Sequence, residues 1–302
     1  MDSGPQARRL VSYFGNRYLH HLARDLEEIR DHGFDAVVHC VTEADLEWGM
    51  QRIAEMFAMT KEAGLACWAD PWGLAGIFGG EAHSGYLARG GTVGAADPGL
   101  RALVHNWTDA VAHAGAEWAF WDEPDLRLTH EPERLVAFLG DVAERARAGG
   151  LRNSVCLTST PPNLPALRQL AALDSIDDIG TDPYYKRDID IRDPDPEDYV
   201  GVWAARVREI AELHGKTSHI WVQAFHVGRG HEHRIGRCIE VARSHRVTRI
   251  GVWGFRACEA LDIRPDDHAT AWRVVGETLT GAGDPAGSRA RTPPPPRGAA
   301  GP

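Results

Sequence analysis

No two cysteines form a CxxC pair in this 302-residue sequence, and no basic run interrupts a formal net charge of −10. Apolar runs are also short: none approaches the roughly 20 residues that span a bilayer. Each absence excludes something. Five widely spaced cysteines, Cys40, Cys67, Cys156, Cys238 and Cys258, are odd in number and read as reduced thiols, which suits a cytosolic protein. An acidic surface without basic patches argues against nucleic acid as a partner. The N-terminus, Met1-Asp2-Ser3-Gly4-Pro5-Gln6, has no charged-then-apolar signal pattern, so the expected location is cytoplasmic, with no membrane partner. A glycine-rich phosphate loop is missing after the first strand-like run, which ends in Phe14-Gly15-Asn16-Arg17; that counts against an open, doubly wound sheet.

What is present is a repeat. Short apolar runs alternate with helix-length amphipathic segments. The strand candidates are Leu10–Phe14, Phe34–Cys40, Leu65–Asp70, Glu117–Asp122, Ser154–Thr158, Ile176–Asp182, His219–Ala224 and Arg249–Gly254. Between them, Leu46, Met50, Ile53 and Phe57 recur at helical spacing, as do Leu135, Phe138, Leu139, Val142 and Ala146, and Trp203, Val207, Ile210 and Leu213. Asp97-Pro98 and Glu131-Pro132 read as helix starts with proline in the first turn. Eight strand–helix units predict an α/β fold, a (β/α)8 TIM barrel over residues 10–280. Residues 1–9 read as an N-terminal extension and 281–302, with Pro293-Pro294-Pro295-Pro296, as a disordered Pro/Gly-rich tail. The third strand is followed by a long loop, about Pro71 to Ala96, carrying Trp72, Phe78, Glu81, His83 and Tyr86; loops of this length are usually functional.

In such a barrel the active site lies at the C-terminal ends of the strands. Those ends carry Asn16 and Arg17, His39, Asp70 with Trp72, Asp122 with Glu123, Thr158 to Thr160, Asp182 with Tyr184, Gln223 with His226, and Trp253 with Arg256. Acids, amides and aromatics together suit a carbohydrate: aromatic faces stack on sugar C–H surfaces while polar groups bond the hydroxyls. Two strands end alike, in Asp122-Glu123-Pro124 and in Asp182-Pro183-Tyr184. Glycosidic cleavage needs a proton donor and usually a second carboxylate. Glu123 is the candidate general acid/base and Asp182 the second carboxylate or orienting group. Asp70, Trp72, Asp122, Tyr184, Gln223, Trp253 and Arg256 are candidate substrate binders, with Gln223 equally open to a structural role. Strand alternation should point Asp122 and Glu123 in different directions, one facing the mouth and the other bracing a loop. No cofactor is expected and the oligomeric state is unreadable.

These residues resemble the glycoside hydrolases of clan A and a looser set of barrel hydrolases with Asp-Glu-Pro, Asp-Pro-Tyr and Gln-Ala-Phe strand ends. The clan places Asn-Glu-Pro at the end of strand four, its Glu acting as acid/base; the matching segment here is Asp122-Glu123-Pro124. Strand seven of the clan normally supplies the nucleophilic Glu in Trp-x-x-Glu-Phe, whereas this chain has Trp221-Val222-Gln223-Ala224-Phe225, with Ala224 at that position. The resemblance therefore implies hydrolysis of an oligosaccharide or glycoconjugate, but by a departure from the usual mechanism. Asp182 could replace the nucleophile, serve as base in an inverting reaction, or orient a substrate group that supplies the nucleophile. Two other classes stay open. One is a metal-dependent barrel using His226, His231, Glu232 and His233 with Asp182. The other is a barrel that binds carbohydrate without cleaving it.

Overall fold

A computed structural model describes residues 9–14, 19–42, 45–46, 49–71, 98–126, 132–185 and 195–281. The expected N-terminal extension up to residue 8, the loop over 72–97 and the tail from 282 onward lie outside the described residues, as do Asn16, Arg17, Trp72 and Glu81.

Eight parallel strands close on themselves in sequence order, the first pairing with both the second and the last. They are β1 (Arg9–Tyr13), β2 (Ala36–Cys40), β3 (Ala66–Asp70), β4 (Trp118–Asp122), β5 (Arg152–Thr158), β6 (Asp178–Asp182), β7 (Thr217–Gln223) and β8 (Arg249–Trp253). Each falls within two residues of its sequence-expected start and end, because a strand buried on both faces reads as a short, near-continuous apolar run. Eight helices among the described residues follow them: α1 (Leu19–Asp31), α2 (Met50–Glu62), α3 (Pro98–Ala114), α4 (Pro132–Ala148), α5 (Leu164–Ala171), α6 (Pro196–Leu213), α7 (His233–Ser244) and α8 (His268–Thr280). Pro98 and Pro132 open their helices as expected. Asp195 and Asp267 cap α6 and α8, accepting from the backbone N–H of Glu197 and Thr270. Leu46 falls outside α2, which begins only after Gly49 at φ 119°, a conformation that glycine tolerates and a helix excludes.

Strand alternation divides the core in two. Val11, Val37, Ala69, Trp121, Val155, Ile179 and Val222 face outward to the helices. Leu10, Val38, Trp68, Phe120, Trp221 and Trp253 fill the barrel. Filling an interior with rings requires room elsewhere. A Cβ on Gly180 would lie 2.1 Å from the His219 ring, and one on Gly251 2.4 Å from the Trp221 ring. Both glycines are there for close approach.

The lower interior holds a polar network centred on Asp178. Arg249 of β8 and His219 of β7 both bond Asp178 of β6, and all three side chains are fully buried. Ser154 Oγ donates to Asp178 Oδ2 at 2.7 Å, and Thr217 Oγ1 also donates to Asp178. The Arg249 guanidinium lies 4.8 Å from the Trp118 ring centroid. Burial alone would raise the Asp178 carboxyl; the Arg249 and His219 charges outweigh it and hold the group well below its usual range. Among the described residues no helix is long and apolar enough to cross a membrane.

Candidate active site

The upper interior is built from inward positions at the strand ends, two residues apart along each strand. Above Trp68, β3 ends in Asp70; above Phe120, β4 ends in Asp122; above Asp178 and Gly180, β6 ends in Asp182. All three acids are buried, at 0%, 6% and 3% exposure. Glu123, the next residue along from Asp122, is half-buried and therefore the acid best placed to meet a ligand.

Both Asp122 and Glu123 belong to this cluster, which corrects the expectation that alternation would separate them. Glu123 sits at φ 43°, where a non-glycine residue is uncommon, while its N–H donates to the Cys156 carbonyl at 2.9 Å. The left-handed turn breaks the alternation and swings the side chain back over the mouth. The bracing role falls instead to Asp125, in the 3-10 turn Pro124–Leu126. It accepts from Thr158 N at 3.1 Å, from Asn163 Nδ2 at 2.7 Å and from the Thr158 hydroxyl, which ties the β4 turn to the end of β5. The sequence signal for it is its place two residues past the Asp-Glu pair.

The electrostatics follow from burial of acids beside one another. Asp122 is pushed well above the ordinary carboxyl value by desolvation, then by Asp70, Glu123 and Asp125; a hydrogen bond from the Cys156 thiol offsets this only in part. Asp182 is likewise raised by desolvation, then by the neighbouring Glu123 carboxyl, which bonds it when a proton lies between them. Neither Asp182 oxygen receives a donor among the described residues. This is what two acceptor groups facing each other produce: they repel when both are ionised and bond only when they share a proton. Such a pair titrates as a unit. Tyr184 follows Asp182 and packs edge-on against Phe225, ring centroids 5.0 Å apart. Desolvation and the Asp182 and Asp122 charges hold its phenol protonated. The Cys40 thiol lies 3.6 Å from Asp70, so Cys40 and Cys156 both direct S–H groups at acids of the cluster. In the sequence these thiols read only as reduced cysteines.

The remaining expected binders divide. Trp253 lines the mouth, 7% exposed, edge-on to Phe14 at 5.0 Å and to Trp221 at 5.8 Å; the Trp253–Gly254 peptide that follows is cis. Gln223 does not present a free amide. Its Oε1 accepts from Tyr185 N at 2.6 Å and its Nε2 donates to the Phe225 carbonyl at 2.8 Å, so both ends hold backbone and the structural alternative is the one realised. Arg256 is turned away from the cluster: it pairs with Glu28 of α1 and lies 3.7 Å from Asp25. The cause is its own backbone, with Arg256 and Ala257 both at positive φ. Trp121 faces the helices, donating to Asn153 Oδ1 at 3.0 Å, and His39 faces Thr60 at 2.8 Å. Among the described residues no three His, Cys, Asp or Glu side chains gather as metal ligands, and His226, His231 and His233 do not converge on Asp182. An apolar cleft of about 220 Å³, lined by Pro161, Tyr199, Val202 and Trp203, lies outside the barrel beside α6 and touches none of these acids.

No family model and no curated protein matches the chain in sequence. Solved structures match it in shape. The chain is similar to the Clostridioides difficile cellulose synthase subunit Z (11% identity, 88% of this chain and 99% of that one, TM-score 0.59). It is similar also to an endo-1,4-β-D-mannanase from Thermotoga petrophila (11%, 91% and 99%, TM-score 0.57). A D-psicose 3-epimerase from Clostridium cellulolyticum is a third (13%, 91% and 98%, TM-score 0.53). At these identities the likeness establishes the (β/α)8 fold and nothing finer. A mannanase and an epimerase on one fold make the point that function must be argued from the site.

Proposed function

We propose that this protein is a glycoside hydrolase-like enzyme, cleaving a glycosidic bond in an oligosaccharide or glycoconjugate with Glu123 as general acid/base and Asp182 as its partner carboxyl. The observation that carries the reading is the pairing of these two acids at the strand ends, Asp182 buried without a donor among the described residues and raised by Glu123, and Glu123 half-buried beside it. One shared proton gives the pair what acid catalysis requires: a carboxylic acid that holds its proton above the ordinary carboxyl range, beside a carboxylate. Glu123, longer and further out, delivers the proton to the departing glycosidic oxygen. Asp182 is left ionised and faces the positive charge that develops on the sugar ring. Asp70, Asp122 and Tyr184 bond hydroxyls, and Trp253 gives the ring an apolar wall. Trp72 keeps its place as a proposed binder from its position just past β3.

Because β7 contributes Gln223 to the backbone and no acid, the ordinary strand-seven nucleophile has no equivalent here. Asp182 as a replacement nucleophile, Asp182 as base in an inverting reaction, and a neighbouring group of the substrate as nucleophile are the routes left to such an enzyme. That same missing acid supports a second reading, a barrel that binds carbohydrate without cleaving it.

Hydrolysis of a panel of aryl glycosides by the wild type and by Glu123→Gln separates the two. Loss of an intact general acid lowers kcat by about 10²–10⁴-fold. Equal turnover in the variant removes Glu123 from the mechanism. Binding without turnover in the wild type supports the non-catalytic reading. The anomer first formed, read by NMR, then distinguishes retention from inversion.

A further inference from the structure

Two large apolar side chains stand exposed among the described residues, Val202 at 48% and Leu213 at 76%, and both belong to α6. They lie about three turns apart, roughly 16 Å along one face of the helix. Val202 lines the apolar cleft beside Pro161, Tyr199 and Trp203, while Leu213 is the last residue of α6. The cleft lies toward the C-terminal ends of the strands. Ser159, just past β5, forms part of its wall, and the Tyr199 hydroxyl donates to the Ser159 carbonyl at 2.6 Å. Asp198 and Arg206 also line it, about two turns or roughly 12 Å apart along α6. Asp198 is exposed and has no ion-pair partner among the described residues.

The sequence from 282 onward has the chemistry to cover that face. It carries Arg289, Arg291 and Arg297 against Asp284 alone, in a protein of formal net charge −10, and Pro293-Pro294-Pro295-Pro296 directly precedes Arg297. Proline runs favour the extended polyproline helix and dock on aromatic-lined grooves at little entropic cost. Four prolines at about 3.1 Å each span roughly 12 Å, which matches the separation of Arg206 and Asp198. The direction fits as well. α8 ends beside the start of β1, where Arg9 Nη1 donates to the Leu279 carbonyl at 3.4 Å, so the chain leaves α8 at the opposite end of the barrel from the cleft. A segment climbing from there along α6 meets Leu213, then Arg206, and Asp198 last. α8 packs on α7 and α7 on α6, a path of roughly 20 Å around the ring at about 10 Å per helix. The climb along α6 is at most about 27 Å. About 12 residues separate Gly281 from Pro293 and reach roughly 40 Å at about 3.3 Å each. We propose that the chain's own proline run, Pro293–Pro296, docks in the cleft on α6, with Arg297 meeting Asp198. Apolar contact with Val202 and Tyr199 carries the docking, and the exposed ion pair sets its direction. This inference stands apart from the glycosidase reading and does not depend on it.

Paramagnetic broadening in the full chain tests this. All five cysteines are buried, so Gly298→Cys offers a single accessible thiol for a nitroxide label. With the label in place, the methyl signals of Val202 should lose most of their intensity. Those of Leu213, further from Asp198, should lose less. Replacing the run through Pro294→Ser with Pro295→Ser should restore the Val202 signals and leave the melting temperature unchanged. Asp198→Arg should weaken the broadening. Val202 signals that stay sharp, or broadening that survives the proline replacements, overturn the inference. A gradient reversed toward Leu213, or no response to Asp198→Arg, overturns the pairing of Arg297 with Asp198. Labelled protein mixed with methyl-labelled protein free of nitroxide completes the test. Broadening that passes between copies there, in place of broadening within one, assigns the cleft to a second copy and overturns docking within the chain.

Discussion

Asp178 and Asp182 lie four residues apart on one strand, both facing the barrel interior, both almost wholly buried. They have opposite electrostatics. Asp178 is met by Arg249, His219, Ser154 and Thr217, and is held ionised well below the usual range. Asp182 is met by other acids and is pushed well above it. Desolvation is the largest influence on each, so burial does not separate them; the partners do. The lower group is compensated from within the chain, at a cost in hydration that its partners offset. The upper group finds no donor among the described residues. That contrast between two acids of one strand is what the proposed role of Asp182 rests on.

The strongest way to break the comparison is to strip the lower acid of its cation. Arg249→Met leaves Asp178 buried with an uncompensated charge and should destabilise the protein by about 3–5 kcal/mol in chemical denaturation. Adding Asp178→Asn should recover much of that loss, since replacing both members of a buried pair is often near neutral. If Arg249→Met costs under 1 kcal/mol, the lower network is not compensating Asp178 and the contrast fails. A smaller effect is expected from the packing that permits the network. Gly251→Ala drives a methyl into the Trp221 ring and should cost about 1–3 kcal/mol, with no direct effect on the carboxyl pair. A neutral outcome would mean that the ring moves aside freely.

Much of this contrast was legible in the sequence, and the part that was not has identifiable reasons. The eight strands showed because burial on both faces writes itself as short apolar runs, and the acids showed because three of those runs, β3, β4 and β6, stop at one. Asp182 and Glu123 could be picked out as a pair because both strand ends continue into proline. What one residue's identity does not carry is its backbone conformation. Glu123 at φ 43° returns to the mouth, Arg256 at φ 48° is turned to α1, and neither sign of φ is written in Glu or Arg. Likewise Gln223 looks the same in sequence whether its amide meets a ligand or, as here, the backbone at Tyr185 and Phe225. Gly180 and Gly251 read as ordinary strand glycines until the rings they admit are seen. Asp178, the compensated acid, was read only as the start of a strand, because its partners Arg249 and His219 lie on two other strands.

The finest test uses the two aspartates against each other through pH. A carboxyl raised in the folded state binds its proton more tightly there than in the unfolded chain, so Asp182 favours folding at low pH. That contribution is lost as pH rises from the ordinary carboxyl value of 3.8 through the raised folded value. Asp182→Asn should therefore be nearly neutral at pH 4 and stabilising by about 0.5–2 kcal/mol at pH 7. Asp178 has the opposite sign. Its depressed folded value contributes stability above 3.8 that is lost as pH falls through that value and below. Asp178→Asn should be most destabilising at pH 7 and progressively less so under acid. His39, lowered to about 3 by burial, imposes a background common to both variants, since the unfolded chain takes up its proton below an ordinary 6.5 and weakens the fold as pH drops. Taking each variant as a difference from wild type removes that background. Melting curves from pH 2 to 8 should then give two difference profiles, Asp182→Asn becoming more stabilising as pH rises above 3.8, and Asp178→Asn level above about pH 5 and progressively less destabilising as pH falls through 3.8. Parallel profiles would mean that the two acids sit in the same kind of environment, and the proposed role of Asp182 would lose its electrostatic basis.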